Sequence, residues 1–305
     1  MVAPQFDLDE ILAFAVALAR EAGDMILKGQ AKRFATSAVA ATKANEVDLV
    51  TEVDKAVEAF ILARITAAYP SHRFVGEETY EGEAITNEPT WIVDPIDGTT
   101  NFIHGYPLVA TSIGLAVNGV PVLGVIYNPF LDQMYSAARG RGAFLNGTTR
   151  LPISGKPRAL DLASALISVD IGNSRAEPEL ISRLDTFKTL SGRPGDGGKM
   201  VHSLRSVGCT SVNLCLVASG GQDMHWEIGG WPWDVCAGMC IISEAGGVTF
   251  GGKGSDLSGV EDAALLVGRR FLFVRAVALV EGEDALQTQR RLAREFYDTT
   301  EHIEL

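Results

Sequence analysis

The segment Trp91 to Pro107, WIVDPIDGTTNFIHGYP, constrains this chain more than any other. An apolar strand, Trp91-Ile92-Val93, runs without a break into Asp94-Pro95-Ile96-Asp97-Gly98-Thr99-Thr100. One turn at a strand end must therefore carry two carboxylates. Pro95 stiffens that turn, and Gly98 permits a sharp reversal or a close approach to a ligand. The backbone N–H groups and hydroxyls of Gly98, Thr99 and Thr100 suit phosphate oxygens. A hard cation such as Mg²⁺ seeks carboxylate, carbonyl and water oxygens, which Asp94, the Ile96 carbonyl and Asp97 could supply. Taken alone, the same residues also describe a solvated Asx-turn.

Three further acidic clusters lie at ends of apolar elements. Gly76-Glu77-Glu78 follows a short strand, so that one glutamate could face inward as a ligand and the other outward. In Asp48-Leu-Val-Thr-Glu-Val-Asp54, Thr51 is a candidate helix cap. Asp54 then falls in the first turn, where the macrodipole favours negative charge. Asp234, in Trp231-Pro-Trp-Asp234, is either an N-cap or a carboxylate held rigidly between tryptophans. Like charges gathered from four places need cations to offset their repulsion, so the four clusters fit a multi-metal site.

Charge and cysteine usage narrow the partners. The net charge of -12 argues against nucleic acid, whose recognition needs a Lys/Arg-rich face. A small anionic substrate remains open, because bound cations reverse the local sign. Cys209, Cys215, Cys236 and Cys240 show no CxxC spacing and read as reduced, partly buried thiols. The N-terminus carries Asp7, Asp9 and Glu10, which does not suit a secretory or transit peptide. No apolar run is long enough to span a bilayer. The expectation is a cytoplasmic protein without a membrane partner.

Periodicity predicts helices over Phe6–Leu27 and Val53–Ala68, the latter ending before Pro70. Val109 to Ala137 reads as meandering antiparallel strands broken at Asn118-Gly119 and Asn128-Pro129. Leu166–Val169 and Val248–Phe250 are predicted strands; Pro178–Leu190, Cys209–Ala218, Asp234–Ala245 and Leu272–Leu279 are predicted helices. Ser191 to Gly198 is loop-like, and the residues after Glu281 read as a solvated, charged helix face. Helices first, then strands, then mixed elements indicate an α+β or layered αβ chain without regular βαβ alternation.

At these residues the chain resembles the inositol monophosphatase family. The resemblance runs through DLVTEVD (48–54), GEE (76–78), WIVDPIDGTTNFIHGYP (91–107), RSVGCTSVNLCLVASGGQD (205–223) and WPWDVCAGMCIISEAGGV (231–248). It implies an α+β fold, a layered αβαβα sandwich of the inositol monophosphatase and fructose-1,6-bisphosphatase type. The whole chain 1–305 would be one domain, with halves of about 1–150 and 151–285 and a tail at 286–305. It also implies a homodimer, two to three Mg²⁺ ions, Li⁺ sensitivity, and hydrolysis of a phosphate monoester without a phosphoenzyme. On that resemblance Glu77, Asp94 and the Ile96 carbonyl hold one metal, and Asp94, Asp97 and Asp234 a second. A weaker third sits at Glu77. Asp54 and Thr99 activate water, and Gly98 and Thr99 hold phosphate. Asp97, Gly208, Cys209, Thr210, Glu227 and Asp234 line the substrate alcohol, and Lys43 steers the anion.

The sequence departs from the family at Cys209-Thr210, at Asn173 and in the 191–198 loop, which bears on the substrate rather than the chemistry. Myo-inositol monophosphate is the leading substrate. The alternatives are a nucleoside 3′,5′-bisphosphate, a sugar phosphate, histidinol phosphate, or a non-catalytic metal-binding scaffold. Asp97–His104 and Glu227–Asp234 contain no Lys or Arg, which favours a neutral polyol. His104 reads as packing or support near the metals, His225 as a residue that could border the substrate, and His72, His202 and His302 as surface. Trp226, Trp231 and Trp233 are candidates to wall the pocket.

Overall fold

The computed structural model describes residues 7–36, 41–42, 49–153, 160–172, 174–279 and 281–300. Lys43, Asp48, Asn173 and His302 lie outside them. Helix α1 (Leu8–Thr36) buries Ile11, Ala15, Leu18, Ala22 and Ile26, a single face at spacings of three and four. The strands β1 (Ala41–Thr42) and β2 (Leu49–Val50) pair with each other. Helix α2 (Glu52–Ala68) starts at a capping box in which Thr51 and Asp54 satisfy each other's orphan groups.

A seven-stranded sheet follows in sequence order: β3 (Arg73–Gly76), β4 (Thr90–Asp97), β5 (Ala110–Val117), β6 (Val120–Asn128), β7 (Gln133–Ala138), β8 (Gly142–Leu145) and β9 (Thr149–Arg150). Only β3 and β4 run parallel, with the short helix α3 (Thr99–His104) between β4 and β5. The predicted breaks hold: Asn118 and Gly119 take positive φ in the β5–β6 turn.

The second half adds β10 (Leu166–Val169), α4 (Glu179–Ser191), β11 (Ser203–Arg205), α5 (Thr210–Ser219), β12 (Met224–Ile228), α6 (Pro232–Glu244), β13 (Val248–Gly251), α7 (Ala263–Leu266), β14 (Arg270–Val274) and α8 (Ala285–Tyr297). Its five-stranded sheet has the order β11-β10-β12-β14-β13. The predicted loop at 191–198 contains one 3₁₀ turn, Pro194–Asp196.

Three apolar clusters set the layers. Helices α1 and α2 cover one face of the large sheet through Ile61, Trp91, Val93, Ile113 and Val125. Helices α5 and α6 fill the space between the two sheets, against Ile92 on one side and Phe271 and Phe273 on the other. Leu190 of α4 and Leu292 and Phe296 of α8 cover the outer face of the small sheet, on Met224, Trp226, Leu272 and Val274. The result is the expected αβαβα sandwich.

Two expectations are corrected. The predicted helix over Leu272–Leu279 is the strand β14, Arg270–Val274. Phe271 and Phe273 face one layer, Leu272 and Val274 the other, so a strand buried on both faces reads as a continuous apolar run that periodicity cannot tell from a buried helix. The residues after Glu281 are more than a solvated face: α8 buries Leu292, Ala293, Phe296 and Tyr297.

The seating of α6 on the large sheet depends on missing side chains. A Cβ on Gly124 would lie 2.1 Å from the Ala237 carbonyl oxygen, and one on Gly114 would lie 2.6 Å from Cys236 Sγ. The clash at Gly124 is with backbone and cannot be relieved by a rotamer. Gly124→Ala should cost about 3 kcal/mol of stability or more, the upper range of overpacking, because α6 must lift off the sheet. Urea unfolding checks this; a loss below about 1 kcal/mol would mean that α6 is not seated by backbone contact.

Candidate active site

Every acidic cluster singled out from the sequence, within the described residues, reaches one end of the large sheet. Strand β4 delivers Asp94 and Asp97 at its C-terminal end, where the β4–β5 register shifts. The parallel strand β3 ends beside it and delivers Glu77, whose N–H donates to the Val93 carbonyl at 3.1 Å. Helix α6 brings Asp234 from the middle layer. Its first turn is tied to β5 by the Ser112 hydroxyl, which donates to the Trp233 carbonyl at 3.1 Å. Ser112 is the register partner of Asp94, so one residue links the two carboxylate-bearing elements.

Each carboxylate is held differently. Asp97 accepts from the N–H groups of Thr210 (3.2 Å) and Ser211 (2.5 Å) at the start of α5. Asp234 accepts from the Trp231 N–H at 2.6 Å. Asp94 is buried, and its Oδ1 has no hydrogen-bond partner. Burial first, then Glu77, Asp97 and Asp234 in turn, push the Asp94 carboxyl well above the usual carboxylate range. Asp234 is raised by burial and then by Asp97 and Glu77. Burial also raises Asp97, against the opposing pull of the Ser211 amide. This electrostatic state calls for positive charge, and the donor set consists of oxygen alone, which suits a hard divalent cation. Among the described residues no three such side chains are drawn into a ready-made metal cage. The orphaned Asp94 oxygen nevertheless fits a cation ligand.

Asp54 stands beside this cluster, at the start of α2. The Thr51 N–H donates to its Oδ2 at 3.0 Å, and the Thr51 hydroxyl donates to the same oxygen. That leaves Oδ1 to accept from the Thr99 hydroxyl at 3.1 Å, a hydroxyl that also lies 3.1 Å from the Ile96 carbonyl. Burial pushes the Asp54 carboxyl up to about 6, with the Thr51 and Thr99 hydroxyls pulling it back. Gly98, at φ +87, lets the chain turn from β4 into α3; a Cβ there would lie 3.1 Å from both Cys209 Cβ and the Leu108 carbonyl.

The far side is built from the second half. Gly208 turns at φ +73, and the Cys209 thiol donates to the Asp97 carbonyl at 3.4 Å. Glu227, on β12, accepts from the Thr210 hydroxyl at 3.2 Å. Its Oε2 also lies 3.3 Å from Nε2 of His225, a wholly buried residue whose Nδ1 is 2.8 Å from the Ser168 hydroxyl. His225 therefore backs Glu227 and does not border a substrate itself. His104 is exposed. His72 is half-buried at the surface, where it stacks on Tyr69 and accepts from Trp91 Nε1 at 3.1 Å. Trp231 and Trp233 stack at 5.1 Å with Tyr80 against both, while Trp226 packs into the outer core. The four cysteines are free and buried, as expected.

Several residues around the site carry no local sequence signal. Asp170 accepts from the N–H groups of Val207 (2.7 Å) and Gly208 (3.0 Å), and Asn213 donates to it at 2.6 Å. Buried Glu58 accepts from the Glu78 N–H at 2.8 Å and holds the turn that carries Glu77. A Cβ on Gly76 would lie 2.5 Å from the Glu58 carboxyl, so the glycine of that turn is required by Glu58. Arg183 and Arg269 reach the end of β12 from distant positions; the two segments read for basic residues could not reveal them.

Comparison with known proteins agrees with this arrangement. The profile of the inositol monophosphatase family matches residues 7–298. Inositol monophosphatase 2 of Saccharomyces cerevisiae is 51% identical over 216 residues, 69% of this chain and 72% of that one. The quinic acid degradation cluster protein x of Neurospora crassa is 39% identical over 319 residues, 95% of this chain and 94% of its own. Among solved structures, the extragenic suppressor protein suhB of Bartonella henselae aligns with a TM-score of 0.73 at 26% identity, covering 94% of this chain and 98% of that one. Among the described residues no helix is long and apolar enough to cross a membrane.

The electrostatics of the cluster generate a prediction that does not depend on turnover. A carboxyl whose pKa is higher in the folded than in the unfolded chain gives up stability as pH rises through that interval. Asp94 and Asp234 are of this kind. The cation-free protein should therefore lose thermal stability as pH rises above the ordinary carboxylate range, and a divalent cation should restore it at pH 8. Asp94→Asn should raise the cation-free Tm at pH 8 and blunt the cation response. A lower Tm for the variant in EDTA would show that the repulsion does not exist.

Proposed function

Because this chain belongs to the inositol monophosphatase family, and is thus a phosphoric monoester hydrolase of a metal-dependent type, we propose that it hydrolyses a small polyol phosphate with Mg²⁺ as cofactor, myo-inositol monophosphate being the reference substrate. The observation that carries this reading is the convergence of Glu77, Asp94, Asp97 and Asp234 beside the Asp54–Thr99 pair. Glu77, Asp94 and the Ile96 carbonyl would hold one Mg²⁺, Asp94, Asp97 and Asp234 a second, and Glu77 would contribute to a weaker third. The ions supply charge that neutralises the phosphoryl oxygens and eases the deprotonation of water.

The chain's own residues do the rest. Thr99 accepts a proton from the attacking water and passes its hydroxyl proton to Asp54 Oδ1, the oxygen that Thr51 leaves open. Gly98 and Thr99 position the phosphate; Gly208, Cys209, Thr210 and Glu227 face the alcohol. Lys43 steers the anion from a segment outside the described residues. The water-activating pair also speaks against a non-catalytic scaffold, since metal binding alone has no use for it. One relative is named for a quinic acid degradation cluster, so family membership leaves the alcohol open. A cytoplasmic location, Li⁺ sensitivity and a homodimer belong to the same reading. The dimer is supported by Ile181, Leu184 and Phe187, an exposed apolar stripe on α4.

Phosphate release from inositol 1-phosphate, with Mg²⁺ and after EDTA, tests the reading; full turnover in EDTA would sink it. Asp94→Ala should abolish activity, while Glu78→Ala should cost far less, because Asp94 would serve two of the ions and Glu78 is assigned to none. Comparable losses would show that the wrong acid had been assigned.

The pH profile provides a second check. Asp54 must be ionised to accept a proton, and its carboxyl titrates at about 6. Activity should fall as pH drops through that value, and Asp54→Asn should lower kcat roughly 100-fold or more. A flat profile between about pH 5 and 8 would remove Asp54 from the mechanism.

A further inference from the structure

The end of β12 gathers positive charge that the phosphate chemistry does not use. Arg183, from α4, is buried; its Nη2 donates to the Ile228 carbonyl at 2.8 Å. Arg269, just before β14, donates from Nη2 to the next carbonyl, Gly229, at 2.9 Å. Its Cζ lies over the Trp231 ring, 3.9 Å from the ring centroid, a cation–π contact that holds the guanidinium at this corner. A Cβ placed on Gly229, which turns at φ +85, would meet only these two Nη2 atoms, each at 3.9 Å. The outer side of this turn is therefore flanked by two guanidinium nitrogens at ordinary contact distance.

Neither group is saturated. Each Nη2 carries two hydrogens, and its carbonyl uses one. Arg269 Nε and Arg183 Nη1 make no hydrogen bond, and the nearest carboxylate to Arg183 Nη1 is Glu179 at 3.8 Å. Arg175 adds a third positive charge nearby. Burial lowers the pKa of Arg183, Glu227 and Glu179 oppose that, and Arg175 repels it further. Arg175 and Arg269 enter no ion pair among the described residues. In a chain of net charge -12, Arg269 carries a positive charge beside the site with no carboxylate partner among the described residues, which leaves its guanidinium able to take an anion.

The corner adjoins the alcohol side. Glu227 Cγ would be 2.9 Å from a Cβ on Gly230, so its side chain packs against the next residue of the same turn. The Glu227 carboxylate accepts from the Thr210 hydroxyl and makes no ion pair with Arg269. The turn then runs directly to Asp234.

We propose that the Gly229 corner is a subsite for a second anionic group, a carboxylate or a phosphate, on the alcohol half of the substrate, bound by Arg269 with Arg183 and Arg175 in support. The proposal rests on the phosphatase reading above and names its substrate class. Guanidinium forks recognise both anions bidentately, so the two sources share one chemistry.

Two matched pairs of substrates separate them. Glucitol 6-phosphate and 6-phosphogluconate, both open chains, differ by a carboxylate; inositol 1-phosphate and inositol 1,4-bisphosphate differ by a phosphate. Wild-type kcat/KM should be at least about tenfold higher for the anionic member of one pair, and which pair responds identifies the group. Arg269→Gln should collapse that ratio, while Arg64→Gln, on α2, should leave it intact. Should Arg269→Gln fold poorly, salt replaces it: raising KCl from about 50 to 500 mM should shrink the wild-type ratio by screening. Mg²⁺-dependent release from all four compounds with ratios near one, or a ratio that survives both Arg269→Gln and salt, overturns the subsite alone. No release from any of them overturns the phosphatase reading instead.

Discussion

The N-termini of α5 and α6 hold two carboxylates that would otherwise repel each other out of the protein. Asp97 receives the Thr210 and Ser211 amides, and Asp234 sits in the first turn of its own helix. In both cases the positive end of a helix dipole offsets negative charge, a contribution of about 0.3–1 kcal/mol per group at exposed positions and more when buried. Asp94 lies between them with no such support, and its free oxygen is where the uncompensated charge collects. The middle layer of the sandwich is thus an electrostatic scaffold: β3 and β4 already bring Glu77, Asp94 and Asp97 together, α5 supplies the amides that hold Asp97, and α6 adds Asp234.

That demand explains how tightly α6 is packed. A helix whose first turn must place a carboxylate next to a strand end cannot tolerate much slip. The sequence supplies Gly114 and Gly124 on the sheet, and Gly238 on the helix, whose Cβ would lie 2.2 Å from Leu214. Helix, sheet and neighbouring helix therefore meet at backbone distance. The same logic operates around Glu58, whose buried carboxylate occupies the space a side chain on Gly76 would need. Close packing becomes positional precision at Asp234 and Glu77, the two acids that arrive from outside β4.

The acid cluster was legible because its parts are local. Asp94 to Thr99 fit within one turn, and Thr51 and Asp54 form a capping box, so each motif carries its own geometry in a few residues. The layered fold was legible through the same motifs more than through periodicity, which took the doubly buried β14 for a helix and left the docking face of α8 unread. What escaped were residues whose importance is made by tertiary contact. Asp170 orders the loop at Val207 and Gly208 from more than thirty positions away. Glu58 looks like any charge on an amphipathic helix until its partner, the Glu78 amide, is placed. A scan of Glu227–Asp234 for basic residues was bound to miss Arg183 and Arg269, because the guanidinium groups come from α4 and the approach to β14.

This division follows from the sandwich itself. The acids, the Asp54–Thr99 pair and the turn at Gly98 come from the first half of the chain, except for Asp234, which α6 carries across. The groups around Glu227 come from the second half, where β12 ends among the turns before α6 and β14. The reacting phosphorus would thus be handled by residues that change only at the cost of an unbalanced charge cluster. The alcohol would meet side chains from elements whose strands end nearby but whose sequences are otherwise free to vary. Arg183 and Arg269 bond carbonyls of the turn at residues 228 and 229, and that bond secures the turn whatever the guanidinium's outer edge meets. A fold with this arrangement can keep one hydrolytic mechanism while the charge at its alcohol corner, set by distant arginines, decides what is presented to it.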